Sequence, residues 1–462
     1  MRLSQYAIFS QSASGNIVYS GMSGAVLRLS DDAFAALVED RADQAPLEHN
    51  DLLQLKRTYV LVEDEQAELE ILRRRYLAGR CDRSHLGLTI LTSLGCNFAC
   101  PYCYEAKEPS LIKPEVRKAL VDHVALRADG LKTLQVHWLG GEPLMARRQL
   151  VELSGRFLEV SRAHSVLYFA NITTNGYLLT GPVSEELLGV GITHAQVCLD
   201  GTPSTHDRMR PLASGRGTFW QILQNVEESS QILDVTVRVN VDANNFDTTD
   251  ELLDLLASRG LQDRITIYAG QLVKVDDDAP IPTPSATYPS PCFTGPEFAS
   301  REVAFLRNAA HKGFNRPALP GPIATPCTAV REDEFVVGSD GELYKCWENV
   351  GNKRKTVGSI LDGQGLGTAK PIKEWSGYSP FEDGECLECI ALPSCMGGCL
   401  HHYNDPRLRH SRCSTFRDNH LAQVELFAWR TLGRVVPETA SASAAETNQV
   451  RLPHRTLPIF ER

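Results

Sequence analysis

The chain has 462 residues, of which 42% are hydrophobic and 23% are charged, and its formal net charge is −10. This length and composition predict a globular protein with a large core and one or two smaller units. The acidic balance and the lack of any run near the ~18 apolar residues of a membrane span argue against nucleic acid or membrane as partners.

The start of the sequence, "MRLSQYAIFSQSASGNIVYSG", lacks the apolar core and small-residue cleavage site of a secretory signal. We therefore expect a cytoplasmic location, in which the 13 cysteines stay reduced. Clustered thiols in a reducing compartment indicate metal binding rather than disulfides. The cysteines form two groups and three single residues: Cys96, Cys100 and Cys103; Cys327, Cys346, Cys386, Cys389, Cys395, Cys399 and Cys413; and Cys81, Cys198 and Cys292.

Residues 1–80 predict a small separate unit. The runs "YAIFSQ" and "NIVYSG" are typical of a strand pair, and Ser30 is a candidate N-cap for the helix that follows. Residues 49–79 continue as helix, turn and helix with an apolar face. A hairpin followed by helices has little core of its own, so one interpretation is a structural cap on the neighbouring domain.

Residues 86–275 alternate between β-rich and helical runs. The β-rich runs are "LGLTILTSL", "TLQVHWLGG", "VLYFANITTNG", "HAQVCLDG", "DVTVRVNVD" and "RITIYAGQL". This alternation predicts βα repeats around a parallel sheet, and therefore an α/β fold. Six such strands can curl into a partial barrel.

The unusual residues of this region follow the predicted strands, where such folds place their chemistry. The loops after the first four strands hold, in order, the three cysteines, Gly140-Gly141-Glu142-Pro143, Thr173-Thr174-Asn175-Gly176 and Asp200-Gly201, and Asn240 and Asp242 close the fifth strand. We therefore expect these residues to share one rim.

The rest of the chain divides by composition. Residues 276–326 are rich in proline and predict a linker, whereas residues 327–430 form a third domain organised by its cysteines. Residues 431–462 begin with a stretch rich in alanine, serine and threonine, which predicts a flexible tail.

Three cysteines lie close together in "LGCNFACPYCYE". One interpretation is a zinc site that is completed elsewhere in the chain. The other is a [4Fe–4S] cluster, which normally takes four thiolates, so that three leave one iron with a free coordination site. Such an iron can bind a chelating substrate and pass it one electron.

The CX3CX2C motif after the first strand, together with "GGEP" and the βα order, resembles the radical S-adenosylmethionine (SAM) enzymes over residues 86–275. The resemblance implies a partial (β/α)6 barrel of the TIM type, with Cys96, Cys100 and Cys103 holding the catalytic cluster. In that family the open iron chelates SAM, and reduction yields methionine and a 5′-deoxyadenosyl radical that abstracts hydrogen from a substrate. It also implies a low-potential reductant such as flavodoxin or ferredoxin.

The resemblance further implies which residues contact SAM. Gly140 and Gly141 let the backbone approach the methionine group, and Glu142 accepts hydrogen bonds from its ammonium. Tyr102 resembles an aromatic residue near the adenine, and Arg210 occupies the position of an arginine that contacts the SAM carboxylate.

Four further positions are candidates for the SAM site. Thr174 and Asn175 are expected either to hydrogen-bond the ligand or to form a structural turn. Cys198 stands where related enzymes often have serine, and a small buried residue is the alternative interpretation. Asn240 closes the fifth strand at the same rim.

The second cysteine group resembles the seven-cysteine SPASM domain, which carries two auxiliary [4Fe–4S] clusters; two zinc sites are the alternative. The resemblance implies an outer set and an inner set: Cys386, Cys389, Cys395 and Cys413 outside, and Cys327, Cys346 and Cys399 inside. Cys292 is then either the fourth inner ligand or an unligated thiol beside an open iron. With the first motif, we expect three clusters, on the order of 12 irons.

SPASM enzymes mostly act on peptides or proteins, which implies a maturase of ribosomally made precursor peptides. Residues 1–80 loosely resemble the winged-helix-like units that grip the leader of such a precursor, and an exposed strand edge can bind a leader by β-augmentation. A sulfatase-maturating enzyme is an alternative, but it carries an aspartate where this chain has Trp347. A non-catalytic iron–sulfur electron carrier would leave "GGEP" and Arg210 unexplained.

Overall fold

The computed structural model describes residues 1–12, 15–39, 47–105, 107–273, 284–289, 292–314, 319–362, 375 and 377–432. Nearly all of the predicted tail, 431–462, and parts of the predicted linker, 276–326, lie outside these residues.

Strands and helices alternate through most of the described chain. The strands are β1 (Arg2–Leu3), β2 (Ala7–Ser12), β3 (Gly15–Ser20), β4 (Val26–Leu29), β5 (Leu61–Val62), β6 (His85–Leu91), β7 (Thr133–Leu139), β8 (Leu167–Thr174), β9 (Ile192–Cys198), β10 (Asp234–Val241), β11 (Ile265–Gln271), β12 (Glu334–Val337), β13 (Glu342–Tyr344) and β14 (Gly358–Ser359). The helices are α1 (Asp31–Val38), α2 (His49–Arg57), α3 (Glu65–Arg80), α4 (Pro114–Arg127), α5 (Arg147–Ala163), α6 (Gly181–Gly189), α7 (Pro203–Met209), α8 (Phe219–Ser229), α9 (Thr249–Ser258), α10 (Gly295–His311), α11 (Gly384–Leu387), α12 (Leu392–Cys395), α13 (Leu400–Asn404) and α14 (Phe416–Leu432).

The central sheet confirms the predicted α/β fold. Strands β6 to β11 pair in sequential order, all parallel, with helices between them. The sheet continues beyond β6, because β12 pairs with it in parallel and β13 and β14 follow as antiparallel strands. The cysteine-rich region is therefore joined to the sheet of the βα repeats by backbone hydrogen bonds.

Side chains on the parallel strands alternate between an apolar helix-facing side and a more polar side. Val136 and Trp138 of β7 belong to the main core, where Trp138 stacks on Phe157 of α5. His137, between them, faces the other way and hydrogen-bonds Thr173 of β8 at 2.9 Å. One face of the sheet thus holds the helices, and the other is built from paired polar groups.

The N-terminal region contains three strands more than the predicted pair, namely β1, β4 and β5. Strands β2, β3 and β4 form an antiparallel sheet, and β1 pairs separately with β5. Ser30 caps α1 by accepting a hydrogen bond from the Ala33 backbone N–H at 3.3 Å. Asp64 caps α3 in the same way through the Ala67 N–H at 2.8 Å.

This N-terminal sheet packs on the C-terminal part of the described chain. Tyr19 is fully buried against Phe416 of α14, and its hydroxyl donates to the Pro320 carbonyl. The shared core contains residues from both regions: Ile8, Ile17, Tyr19, Val26, Leu319, Ala391, Phe416, Val424, Phe427 and Ala428. Residues 1–80 therefore share one core with the C-terminal region, and they also bury a smaller cluster of their own around Val18, Leu37 and Leu55.

No helix within the described residues has both the length and the apolar character needed to cross a membrane.

We predict that Tyr19→Ala will destabilise α14 as well as the N-terminal sheet, because both bury the same ring. Removing a large buried ring usually costs about 3 to 5 kcal/mol. Hydrogen exchange measured by mass spectrometry should become faster in residues 416–432. Leu126→Ala is the control, since this side chain is 82% exposed. Unchanged exchange in α14 would contradict a shared core.

Candidate active site

The three-cysteine loop follows β6 and is held by a neighbouring backbone segment. Phe98 forms a bridge with Leu212, and the Ala99 N–H donates to the Pro211 carbonyl at 2.8 Å. The Ala213 N–H in turn donates to the Asn97 carbonyl at 2.8 Å. These contacts fix the loop against the residues that directly follow Arg210.

The thiols of this loop are buried or half-buried. Cys100 is buried, and burial raises the pKa of Cys96 to about 11 and that of Cys103 to about 12. In the part of the chain described here, no three metal-binding side chains converge on a single ion position. A [4Fe–4S] cluster does not require this, because each thiolate binds a different iron. Three thiols on one loop are therefore a ligand set that a [4Fe–4S] cluster can use, with one iron left without a protein ligand.

The glycines of "GGEP" bring the loop after β7 directly onto the cysteine loop. A Cβ on Gly140 would lie 2.2 Å from the Ser93 carbonyl oxygen, and one on Gly141 would lie 2.5 Å from that of Gly95. The Gly141 N–H donates to Ser93 at 3.0 Å. Close packing of the two loops is therefore sufficient to explain why positions 140 and 141 require glycine. Contact of Gly140 and Gly141 with SAM stays a prediction.

Glu142 is fully buried and joins two loops of the rim. Its carboxylate accepts hydrogen bonds from the Thr174 hydroxyl at 2.7 Å, the Asn175 N–H at 2.7 Å and the Leu144 N–H at 3.0 Å. A carboxylate offers about four acceptor positions. One position is therefore left for a donor such as an ammonium group.

The predicted SAM residues Tyr102, Arg210 and Asn240 meet at a residue that the sequence interpretation did not assign. Asp200 is fully buried and accepts hydrogen bonds from the Tyr102 hydroxyl and from the Asn240 N–H, the latter at 2.9 Å. The Arg210 guanidinium donates to Tyr102 and lies 3.7 Å from Asp200. The signal available in the sequence was the position of Asp200, two residues after the end of β9.

Arg210 is a buried cation supported from several sides. Burial opposes its charge, but Tyr102, Cys198 and Asp200 raise the pKa of the guanidinium above its usual value. Its carbonyl accepts from the Thr218 hydroxyl at 2.7 Å. Cys198, at the end of β9, is itself buried.

Two acidic residues beside the cysteines were not singled out by sequence. Burial, reinforced by the charge of Glu348, raises the pKa of Glu105 to about 7. Burial also raises the pKa of Glu348 to about 7, although Arg238 of β10 opposes the shift. Trp347 packs beside Leu91 and Tyr344.

The second cysteine group separates into two places. A small cavity, partly open to solvent, is lined by the outer set: Cys386, Cys389, Cys395 and Cys413. Cys327 and Cys346 border a different apolar cluster around Tyr378, and Cys399 interacts electrostatically with both of them. Cys292 precedes Phe293, whose carbonyl accepts from Gln271 at the end of β11 at 2.7 Å.

Several proteins of known function are similar to part of this chain. A PqqA peptide cyclase from Gluconobacter oxydans is 39% identical over 102 residues, which are 22% of this chain and 26% of that protein. An Fe-coproporphyrin III synthase from Methanosarcina barkeri is 29% identical over 177 residues, 37% of this chain and 41% of that protein. A PqqA peptide cyclase from Granulibacter bethesdensis is 27% identical over 176 residues, 38% of this chain and 45% of that protein. The chain thus spans less than half the length of these relatives.

Two solved structures share the fold at low identity. Native anSMEcpe with bound AdoMet has a TM-score of 0.54 and 18% identity, covering 75% of this chain and 97% of that chain. Streptococcus suis SuiB bound to S-adenosylmethionine has a TM-score of 0.50 and 14% identity, covering 88% of this chain and 97% of that chain. At these identities the similarity concerns the fold.

We predict that Arg210→Gln will weaken SAM binding by about 10- to 100-fold, the range for loss of a charged hydrogen bond. Iron content should stay constant, since Arg210 is not a cluster ligand. Equilibrium dialysis with labelled SAM measures the first quantity, and iron analysis the second. Arg208→Gln, an exposed position on α7, is the matched control. Loss of iron, or equal SAM affinity in both variants, would contradict the assignment.

The cysteine loop, the glycine-rich loop and the network around Asp200 all lie within one stretch of the chain. Residues 90–256 match the Radical SAM superfamily. The three loop thiols fit the [4Fe–4S] cluster that this family implies, and the buried rim offers polar groups for SAM. Residues 90–256 are therefore a radical SAM domain.

Proposed function

We propose that this protein is a peptide maturase that cleaves SAM reductively and abstracts hydrogen from a precursor peptide, installing a crosslink or another modification. The observation that carries the proposal is the second cysteine group, which is attached to the radical SAM sheet through the β6–β12 pairing. The PqqA peptide cyclases among the relatives have a peptide as their named substrate. The Fe-coproporphyrin III synthase is not named for a peptide substrate, although it matches the same kind of region. Similarity in the radical SAM region alone therefore does not identify the class of substrate.

The residues of the rim account for how SAM would be held. Cys96, Cys100 and Cys103 would bind the cluster, and Arg210 would face the SAM carboxylate beside Tyr102. When bound and reduced, the cluster supplies the electron that breaks the sulfonium bond of SAM and yields the 5′-deoxyadenosyl radical. Glu142 and Asp200 are fully buried, so solvent screens the electrostatic contacts of their carboxylates only weakly.

The second cysteine group would hold two auxiliary [4Fe–4S] clusters. The outer set supplies four thiols around one cavity, which matches the usual ligand number. The inner set supplies three, and Cys292 is either the fourth ligand or leaves an iron open to substrate. We further propose a cytoplasmic location and a low-potential donor such as flavodoxin or ferredoxin.

Residues 1–80 would bind the precursor leader through the edge of β4. Within the described residues, the N-terminal sheet ends at β4, which pairs with β3 on one side only. The Ser20 N–H donates to the Ala25 carbonyl at 2.9 Å, so these two residues face each other as a hydrogen-bonded pair. Hydrogen-bonded and non-hydrogen-bonded pairs alternate along antiparallel strands, which makes Arg28 and its partner Ile17 a non-hydrogen-bonded pair. The Arg28 N–H therefore points away from β3. An extended peptide can pair with that outer edge.

We predict that replacing Cys96, Cys100 and Cys103 together by alanine will abolish 5′-deoxyadenosine formation from SAM and dithionite. Iron should fall from on the order of 12 to about 8 per chain, because two clusters remain. Liquid chromatography with mass spectrometry and anaerobic iron analysis give both values.

Three results would contradict parts of this proposal. SAM cleavage by the triple variant would contradict the motif assignment. Wild-type protein with about 4 irons and stoichiometric zinc would contradict the auxiliary clusters. Conversion of a sulfatase peptide to formylglycine, with precursor peptide left unmodified, would favour the sulfatase-maturating alternative.

We predict that Arg28→Pro will reduce modification of the full-length precursor by tenfold or more while SAM cleavage without peptide stays intact. Proline removes an outward N–H that a leader strand would use, and it is tolerated on edge strands. Arg28→Ala keeps the N–H and is the matched control. Equal precursor modification in both variants would contradict leader binding at β4. The comparison avoids deleting residues 1–80, which share a core with α14.

A further inference from the structure

One buried tyrosine connects the two auxiliary cysteine sets. The ring of Tyr378 belongs to the apolar cluster that Cys327 and Cys346 border. Its hydroxyl lies on the other side, 3.7 Å from the sulfur of Cys386, which lines the cavity of the outer set. A single side chain thus extends from the surroundings of one set to a ligand of the other.

A glycine in the neighbouring backbone leaves room for the Tyr378 hydroxyl. The Tyr378 hydroxyl donates to the Gly397 carbonyl at 3.2 Å. A Cβ on Gly397 would lie 2.5 Å from the hydroxyl oxygen, and the φ of this glycine is +99°. Gly397 stands between Cys395 of the outer set and Cys399 of the inner set. The segment that joins the two sets therefore requires glycine where the tyrosine hydroxyl packs.

The hydroxyl has one proton and two acceptors within reach, the Gly397 carbonyl and the Cys386 sulfur. When Cys386 is a thiol, its own S–H can donate to the tyrosine oxygen. When Cys386 is a cluster ligand it is a thiolate, which accepts only, and hydrogen bonds to charged acceptors are stronger than those to neutral ones. Cluster binding therefore favours donation from Tyr378 to Cys386.

Resting on the auxiliary clusters of the proposed function, we infer that Tyr378 is a positioning residue that donates a hydrogen bond to the Cys386 thiolate and raises the reduction potential of the outer cluster. Reduction adds negative charge to the cluster and its sulfur ligands. A donor beside a ligand sulfur stabilises that charge more in the reduced state than in the oxidised state. The reduction potential of an iron–sulfur cluster is set in part by hydrogen bonds to its sulfur ligands.

A second donor to the outer set lies at the protein surface. The Arg417 guanidinium donates to the Cys413 sulfur at 3.4 Å, but its side chain is 43% exposed. The buried Arg412 is instead paired with Asp383 at 2.6 Å and with Glu385 at 3.2 Å. Among these side chains, Tyr378 is thus the buried neutral donor, where solvent screens it least. The buried Ala391 N–H also donates to the outer set, at Cys389.

The test compares Tyr378→Phe and Tyr403→Phe in the full-length, anaerobically reconstituted protein. Tyr403 is the matched control because its ring lies 4.6 Å from that of Tyr378, so its variant removes a hydroxyl from the same aromatic pair. Redox titration followed by electron paramagnetic resonance gives the midpoint of each cluster, and the signal lost in Cys386→Ala identifies the outer one.

For Tyr378→Phe we expect a lower midpoint of the outer cluster, with unchanged iron content. At the wild-type midpoint, the ratio of reduced to oxidised outer cluster should fall about fivefold, the size of one hydrogen bond. Tyr403→Phe should leave this ratio unchanged. An unshifted midpoint in Tyr378→Phe, or an equal shift in both variants, would overturn the inference while the auxiliary clusters stand. Wild-type protein without an outer cluster would overturn both.

If Tyr378→Phe loses the outer cluster, 3-fluorotyrosine incorporated at Tyr378 provides the second test. Fluorination keeps the hydroxyl and makes it a stronger donor, so the midpoint should rise. An unchanged or lower midpoint in that protein would overturn the inference.

Discussion

The buried carboxylate of Glu142 is the constraint on which one half of the rim depends. Its side chain binds donors on the loops after β7 and β8, and its backbone N–H donates to Gly95 in the cysteine loop at 2.9 Å. Without the carboxylate, several buried donors would lose their acceptor, at about 1 to 3 kcal/mol for each. Three strand ends are therefore fixed relative to one another before any ligand is present, so the cysteine loop is pre-organised.

The other half of the rim depends on Asp200, and its energetic role is different. Burial raises the pKa of Asp200, whereas Arg210 and the hydrogen bonds from Tyr102 and Asn240 oppose that rise. A buried ion pair gives up hydration that its attraction barely replaces, so it adds little net stability. The ion pair instead orients the side chains around it. Tyr102, Arg210 and Asn240 come from separate parts of the chain, and all three contact the Asp200 carboxylate. The cysteine loop links the two halves. Asn175, beside Glu142, donates to the side chain of Asn97 on this loop at 2.8 Å, and Tyr102, which binds Asp200, lies on the same loop.

Sequence patterns were sufficient for the parallel strands and for the order of the rim loops, because strand periodicity and cysteine spacing are local properties. They were insufficient for contacts between distant positions. Tyr102 and Asp200 are 98 positions apart, and Tyr76 reaches the Tyr378 carbonyl across 302 positions. The short strand β4 was missed because "VLRL" directly precedes a strong helix start. The extension of the sheet by β12 to β14 was missed because such short strands carry little periodicity.

The position of the N-terminal unit changes how its two interpretations relate. One face of its sheet is buried with α14, and that core also contacts Cys389 and Cys395 of the outer set. A second core joins Tyr6 and Met22 to Cys386. The unit therefore helps to support the outer cysteines of the C-terminal region, whereas the cap interpretation placed it on the neighbouring βα domain. Strand β4, one of the two edge strands of this sheet, still has an edge that no other strand in the described part of the chain uses. Because a sheet packs through its faces and pairs through its edges, capping and peptide recognition do not compete for the same surface.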